Sequence, residues 1–230
     1  MVMILLGQIL LWSHIVFGGL ALLIFMVPLL TKKGGKRHKQ TGKIYTLSMM
    51  LAAITAWTAI ILRLATGRYD EAVSLSFLAL VGLLAFENVF YGVRVLKQKR
   101  RTGPHTGSLE YVISGITALA GVAGLAYGLY GKVQILFVVF GALTVNVCIE
   151  HVNEMRKPPK SKWFWWYAHM GNMITACVAT VTAFLVTNIT TSLGGNAWMV
   201  WLAPTAIGVP GMIIWTRKER ERLERAAVRS

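Results

Sequence analysis

Charge is scarce in this chain, and acidic charge scarcest. Of 230 residues 14% are charged, with 9 Asp and Glu against 24 Lys and Arg. A soluble domain carries about 25% charged residues, so this shortage excludes an ordinary water-facing surface. The longest polar stretches are loops, which leaves no room for a separate soluble domain. Cysteine is nearly absent: Cys148 and Cys177 stand alone, each inside an apolar stretch. Helix geometry places them at different depths, beyond the ~7 Å that a disulfide tolerates between Cα atoms. Both are expected to be small buried apolar residues. The last apolar stretch has no lysine, which argues against a retinal Schiff base. Walker, Rossmann and nucleophile-elbow motifs are also missing. No Lys or Arg precedes the first apolar run, and that run exceeds the ~7–15 residues of a signal-peptide core. It is expected to stay as a first helix.

What the chain has instead is long apolar runs, 55% of its residues being hydrophobic. Seven runs stand out, at 3–30, 44–64, 73–93, 111–130, 133–149, 163–186 and 198–215. Most approach the ~20 residues that a helix needs to cross hydrocarbon. The fold class that follows is all-α: a polytopic bundle of seven transmembrane helices, with one domain over 1–215 and a basic tail over 216–230. The net charge of +15 suggests nucleic acid at first sight, but the basic residues are bunched between apolar runs. The segments 31–43, 94–101 and 156–162 and the tail hold 21 of the 24 Lys and Arg; only Arg63, Arg68 and Lys132 fall on the other side. By the positive-inside rule the crowded side is cytoplasmic, so the N-terminus is expected outside and the C-terminus inside. Trp163, Trp165, Trp166 and Trp215 then form an inner aromatic belt, with Trp198 and Trp201 at the outer face. In the fourth run Ser114, Thr117, Gly121, Gly124, Gly128 and Gly131 recur at three- and four-residue steps. Such a face of small residues predicts a central or tightly packed helix, and more remotely a homo-oligomer contact.

Polar residues within these runs are the functional candidates, because an ionisable side chain in hydrocarbon is costly. At 1.5 Å per residue, Glu87, Asn88, Asn146, His169 and Asn172 all fall within roughly 7–13 Å of the crowded side. Tyr45 and Ser48 reach the same layer. These residues are expected to line a polar site open to the cytoplasm that takes a small ligand, a proton or an ion. At its mouth the run Glu150-His151-Val152-Asn153-Glu154 puts a histidine and carboxylates one helical turn apart. His151, His169 and a carboxylate such as Glu150 therefore form an alternative zinc set for a membrane hydrolase or lipid-modifying enzyme, although a catalytic zinc wants three protein ligands. For Glu150 and Glu154 themselves, pairing with the lysines and arginines around them at the interface is the expectation. A third reading is a redox protein with one haem b, using His169 with His38 or His151. His14 lies some 15 Å from His169 along the membrane normal and cannot share a haem with it. It reads as an isolated neutral histidine bonded to a neighbouring Thr or backbone carbonyl.

The strings Ser13-His14-Ile15-Val16-Phe17-Gly18-Gly19, Lys36-Arg37-His38 and Gly42-Lys43-Ile44-Tyr45, with the segment from His169 to Val186, resemble a family of bacterial integral membrane proteins of unknown function. The matching positions are His14, His38, Gly42, Tyr45 and His169. The resemblance covers about half of the chain. It implies a bacterial inner-membrane protein whose partner is the lipid bilayer, and it supplies no activity.

The charge distribution makes one direct prediction. In a chain without Cys148 and Cys177, a cysteine at Lys32 should react with an impermeant maleimide only after the membrane is permeabilised. A cysteine at Arg68 should react in intact cells. The opposite pattern would invert the topology.

Overall fold

The first apolar run is two helices, not one. α1 (Val2–Ile24) and α2 (Met26–Leu30) meet at Phe25. Pro28 accounts for the break, since it lacks an N–H and its ring collides with the carbonyl four residues earlier. The others follow as α3 (Lys36–Ala65), α4 (Ala72–Arg94), α5 (Ser108–Tyr130), α6 (Ile135–Arg156), α7 (Phe164–Leu193) and α8 (Ala197–Val228). A 3-10 turn, Val95–Gln98, extends α4. The computed structural model describes residues 2–67, 69, 72–131, 135–193 and 197–228. Counting α1 and α2 as one span, the described residues contain seven helical spans long and apolar enough to cross a membrane, and none of these residues is in a strand.

Several helices start earlier or end later than the apolar pattern suggests. α3 begins at Lys36, so His38 and Lys43 are helical. α6 continues to Arg156, which brings His151 and Glu154 into the helix. α8 runs without interruption through the tail, where Glu219–Arg222 and Glu221–Arg225 pair at 3.2 and 3.4 Å. Exposed pairs of this kind add only about 0.3–0.5 kcal/mol each.

The basic segments meet at one end of the bundle, the basic end. There Lys33 lies over the Trp215 ring at 4.7 Å, Lys99 over Trp165 at 4.5 Å and Arg101 over Phe164 at 4.8 Å. At the other end Phe77, Leu80, Leu84, Phe137, Phe140 and Trp201 form an apolar core. Trp201 is therefore not the interfacial anchor expected from the sequence. Its ring packs 4.8 Å from Phe77 and 5.7 Å from Phe140. Arg68, Lys132 and the Trp198 side chain lie outside the described residues.

The central helix is α4, which packs against α3, α5, α6 and α7 and is the most buried span. Of the two alternatives expected for the fourth span, central or tightly packed, the second holds. α5 is the tightly packed partner of α6. A Cβ on Gly141 would stand 2.6 Å from the Leu125 nitrogen and 2.9 Å from the Gly121 carbonyl oxygen. A Cβ on Gly128 would stand 2.9 Å from the Val138 nitrogen. Backbone thus meets backbone, as small residues allow within a membrane. Cys148 and Cys177 are both buried free thiols.

Gly141→Val should accordingly lower the stability of the detergent-solubilised protein by about 1–3 kcal/mol or more, since neither neighbour is a side chain that can turn away. Gly115→Ala, with nothing within 4 Å of the new Cβ, should be neutral or stabilising by about 0.5–1 kcal/mol. Thermal unfolding followed by circular dichroism checks both.

Candidate functional site

On α4, Glu87, Asn88 and Tyr91 turn inward toward the basic half of the bundle. Glu87 is 1% exposed. Its Oε1 accepts from Ser114 Oγ of α5 at 2.5 Å and lies 2.9 Å from His151 Nδ1 of α6. His151 Nε2 is 2.8 Å from Asn172 Oδ1 of α7, and the Asn172 amide donates to the Ala168 carbonyl at 2.8 Å. One chain of polar contacts thus joins four helices, Ser114–Glu87–His151–Asn172. Because the Asn172 amide nitrogen is turned to Ala168, its oxygen faces the imidazole and accepts from Nε2. A neutral His151 would then present a bare Nδ1 to Glu87. A hydrogen bond between Glu87 and Nδ1 requires a proton on one of the two groups beyond carboxylate and neutral imidazole. Glu87 Oε2 and Thr117 Oγ1, one turn from Ser114, are buried with no partner among the described residues.

Tyr91 closes the site toward the basic end. Its ring stacks on the His151 imidazole, with centres 4.0 Å apart and planes 18° apart. Its hydroxyl donates to Glu154 Oε2 at 2.9 Å. Arg101 donates to the backbone carbonyl of Glu154 at 2.9 Å. Gly92, next along α4, lets α7 approach: a Cβ there would stand 2.5 Å from Met173 Cε and 2.9 Å from Asn172 Cβ.

The structure divides the residues singled out from the sequence. Glu87 and Asn172 do meet, through His151. Asn88 is buried beside them and donates to the Leu84 carbonyl of its own helix. Asn146 does not join the site. It is exposed on the outer side of α6, where it contacts Glu150, also exposed, at 3.3 Å. Tyr45 belongs to a different interface, bonding Thr180 of α7 at 3.2 Å. His169 faces away from Glu87, with Nδ1 2.7 Å from the Gly92 carbonyl oxygen and its ring 6.4 Å from that of His38. His14 Nδ1 bonds the Ala52 carbonyl at 2.8 Å. Glu154 binds Tyr91 through its carboxylate, rather than the interfacial cation expected for it.

These positions bear on the two cofactor readings. Both His151 nitrogens are occupied by Glu87 and Asn172, and His169 looks elsewhere, so the zinc set His151–His169–Glu150 is not assembled. Among the described residues no group of three or more His, Cys, Asp or Glu side chains is placed to hold a metal. The same occupancy removes His151 as a haem ligand, whereas His38 and His169 are neighbours.

Sequence reasoning missed a second buried carboxylate. Glu110 of α5 is 2% exposed, accepts from Arg94 Nε at 2.7 Å and lies 3.3 Å from His105 Nε2. The His105 backbone N–H in turn donates to the Met155 carbonyl at 2.7 Å, which ties the 99–107 loop to the end of α6. At the same end, burial holds the Lys33 ammonium below its ordinary pKa, against the opposing pull of Glu219. No protein-family profile, no curated protein and no solved structure matches this chain.

The network carries its own stability test. His151→Leu leaves Glu87 and Asn172 buried without their shared partner and should destabilise by about 3–5 kcal/mol. Adding Glu87→Gln in the same chain should recover part of that loss, because the uncompensated charge is gone. Thermal unfolding of the two variants, read against the parent protein, measures both changes.

Proposed function

We propose that this is a multi-pass protein of the bacterial inner membrane that binds and releases a proton at the Glu87–His151 pair, with access from the cytoplasmic side. The supporting observation is a carboxylate 1% exposed within a membrane span, bonded to an imidazole, with its second oxygen unpartnered among the described residues. An ionisable residue at such a place is a functional candidate by default. Carboxylate and imidazole this close exchange protons as a coupled pair, not as two independent groups. The low dielectric around them makes any net charge on the pair costly. Gaining or losing one proton therefore changes the forces on α4, α5, α6 and α7 together, as a proton-coupled transporter or sensor requires.

The basic end supplies the route. Glu154 lies one turn from His151 on α6 and is half-buried. Its contact with Tyr91 places a second acid between the pair and the interface. Tyr91 lies flat over the imidazole, so access to His151 follows the movement of Tyr91. A small cation could also neutralise Glu87, but the imidazole already held there makes the proton the better fit.

Infrared difference spectra of the full-length protein in lipid, recorded across a pH step, test the reading. A band from a protonated carboxylic acid in an apolar setting should appear on acidification and vanish in Glu87→Gln. In Ser114→Ala it should persist at a shifted frequency, because one hydrogen bond to the carboxyl is lost. A spectrum with no titrating buried acid, or one unchanged in Glu87→Gln, would refute the proposal.

A further inference from the structure

His38 and His169 form a second polar site, outside the Glu87 network. His38 comes from the first turns of α3 and His169 from the second turn of α7. The carbonyl of Pro28 faces His38 Nδ1 at 3.0 Å, and the carbonyl of Gly92 faces His169 Nδ1 at 2.7 Å. A carbonyl only accepts, so each Nδ1 carries the proton and each neutral ring presents Nε2 as a lone pair. The Pro28 oxygen is available because α2 ends two residues later, leaving its last carbonyls without helical donors. The two ring centres are 6.4 Å apart and the planes cross at 78°.

We propose that His38 and His169 are the paired protein ligands of one transition-metal centre, bound through their Nε2 atoms, either a Cu(I) ion or the iron of a haem. Three features support this assignment. First, a ligating histidine characteristically donates its other N–H to a carbonyl or carboxylate, which fixes the tautomer and the ring orientation. Here two separate helices supply that carbonyl, one to each ring. Second, an ion about 2 Å from each nitrogen sets two imidazole centres about 6 Å apart, close to the separation seen. Third, the donor set stops at two among the described residues. Zinc, which takes three or four protein ligands, does not suit it. Two imidazoles suffice for Cu(I), and for haem iron, where the macrocycle fills the remaining positions.

The surrounding charge selects in the same direction. Lys33 and Lys99 are close enough to act electrostatically on His169. Lys33 Nζ is held by the Pro28 and Leu29 carbonyls at 3.0 and 2.6 Å, and Lys99 lies over the Trp165 ring. A bare dication gains little in this company. A monovalent ion is penalised less, and a haem would bring two propionates that complement the lysines at the basic end.

Full-length protein purified in detergent, titrated with Cu(I) under reductant and separately with haem b, tests the assignment. One equivalent of one of these should bind per chain. Haem would show the low-spin spectrum of two axial imidazoles. Copper would show two nitrogen neighbours by X-ray absorption. His38→Gln and His169→Gln, whose amides can still reach the carbonyls, should each weaken binding at least about tenfold. His14→Gln should bind as the parent does. Circular dichroism confirms that each variant is folded. Failure of both titrations to reach one equivalent, or binding unchanged in the folded double variant, would overturn the proposal.

Discussion

Hydrocarbon offers no hydrogen bonds, so the carboxylate of Glu87 depends on what other helices bring to it. Ser114 of α5 and His151 of α6 contact its Oε1, and Asn172 of α7 completes the arrangement through His151. A buried polar group left unpaired costs about 1–3 kcal/mol, and an unpaired charge more. The positions of α5, α6 and α7 around α4 are therefore constrained by chemistry as well as by shape. The glycines serve the same end. Gly141 lets α6 close on α5, and Gly92 lets α7 come near enough for Asn172 to reach His151. Without these close approaches the polar chain would be too long to bridge.

The sequence conveys depth well and direction poorly. Rise per residue is fixed, so the layer containing Glu87 and Asn172 can be read from the ends of the apolar runs. Asn146 shows the limit. It lies at a suitable depth but on the outer side of α6, because a helix apolar nearly all round carries little signal for which face meets its neighbours. His151 shows the converse. The fifth apolar run thins out before it, which suggests a place at the mouth, yet α6 continues to Arg156 and buries it. Seven spans were legible for the simple reason that length and hydropathy decide them. Trp201 was misplaced because an aromatic near a span end is interfacial by habit, and only tertiary packing shows that Phe77 and Phe140 claim it.

Ser114 illustrates how one pattern can hide another. Its spacing with Thr117, Gly121 and Gly124 reads as a smooth packing face, and toward α6 the glycines of that face do pack closely. At Ser114 the same face turns to Glu87 and supplies a hydroxyl. Small size and hydrogen-bonding capacity are both needed there, and periodicity reports only the first. Tyr91 had a better signal available, since it stands four residues after Glu87 and so shares its helix face.

The two histidine sites are not mechanically separate. His169 and Asn172 are three residues apart on α7, and both meet α4 at Gly92, one through the Gly92 carbonyl and the other through the space its missing side chain leaves. A displacement of α7 that lengthened the His169–Gly92 bond would also move Asn172 relative to His151. Packed helices settle into discrete arrangements rather than deforming smoothly. A change of charge at Glu87–His151 and the occupancy of His38–His169 would each act on the position of α7 against α4. Gly92 is thus the residue through which either site would influence the other: its carbonyl holds His169, and its missing side chain admits Asn172.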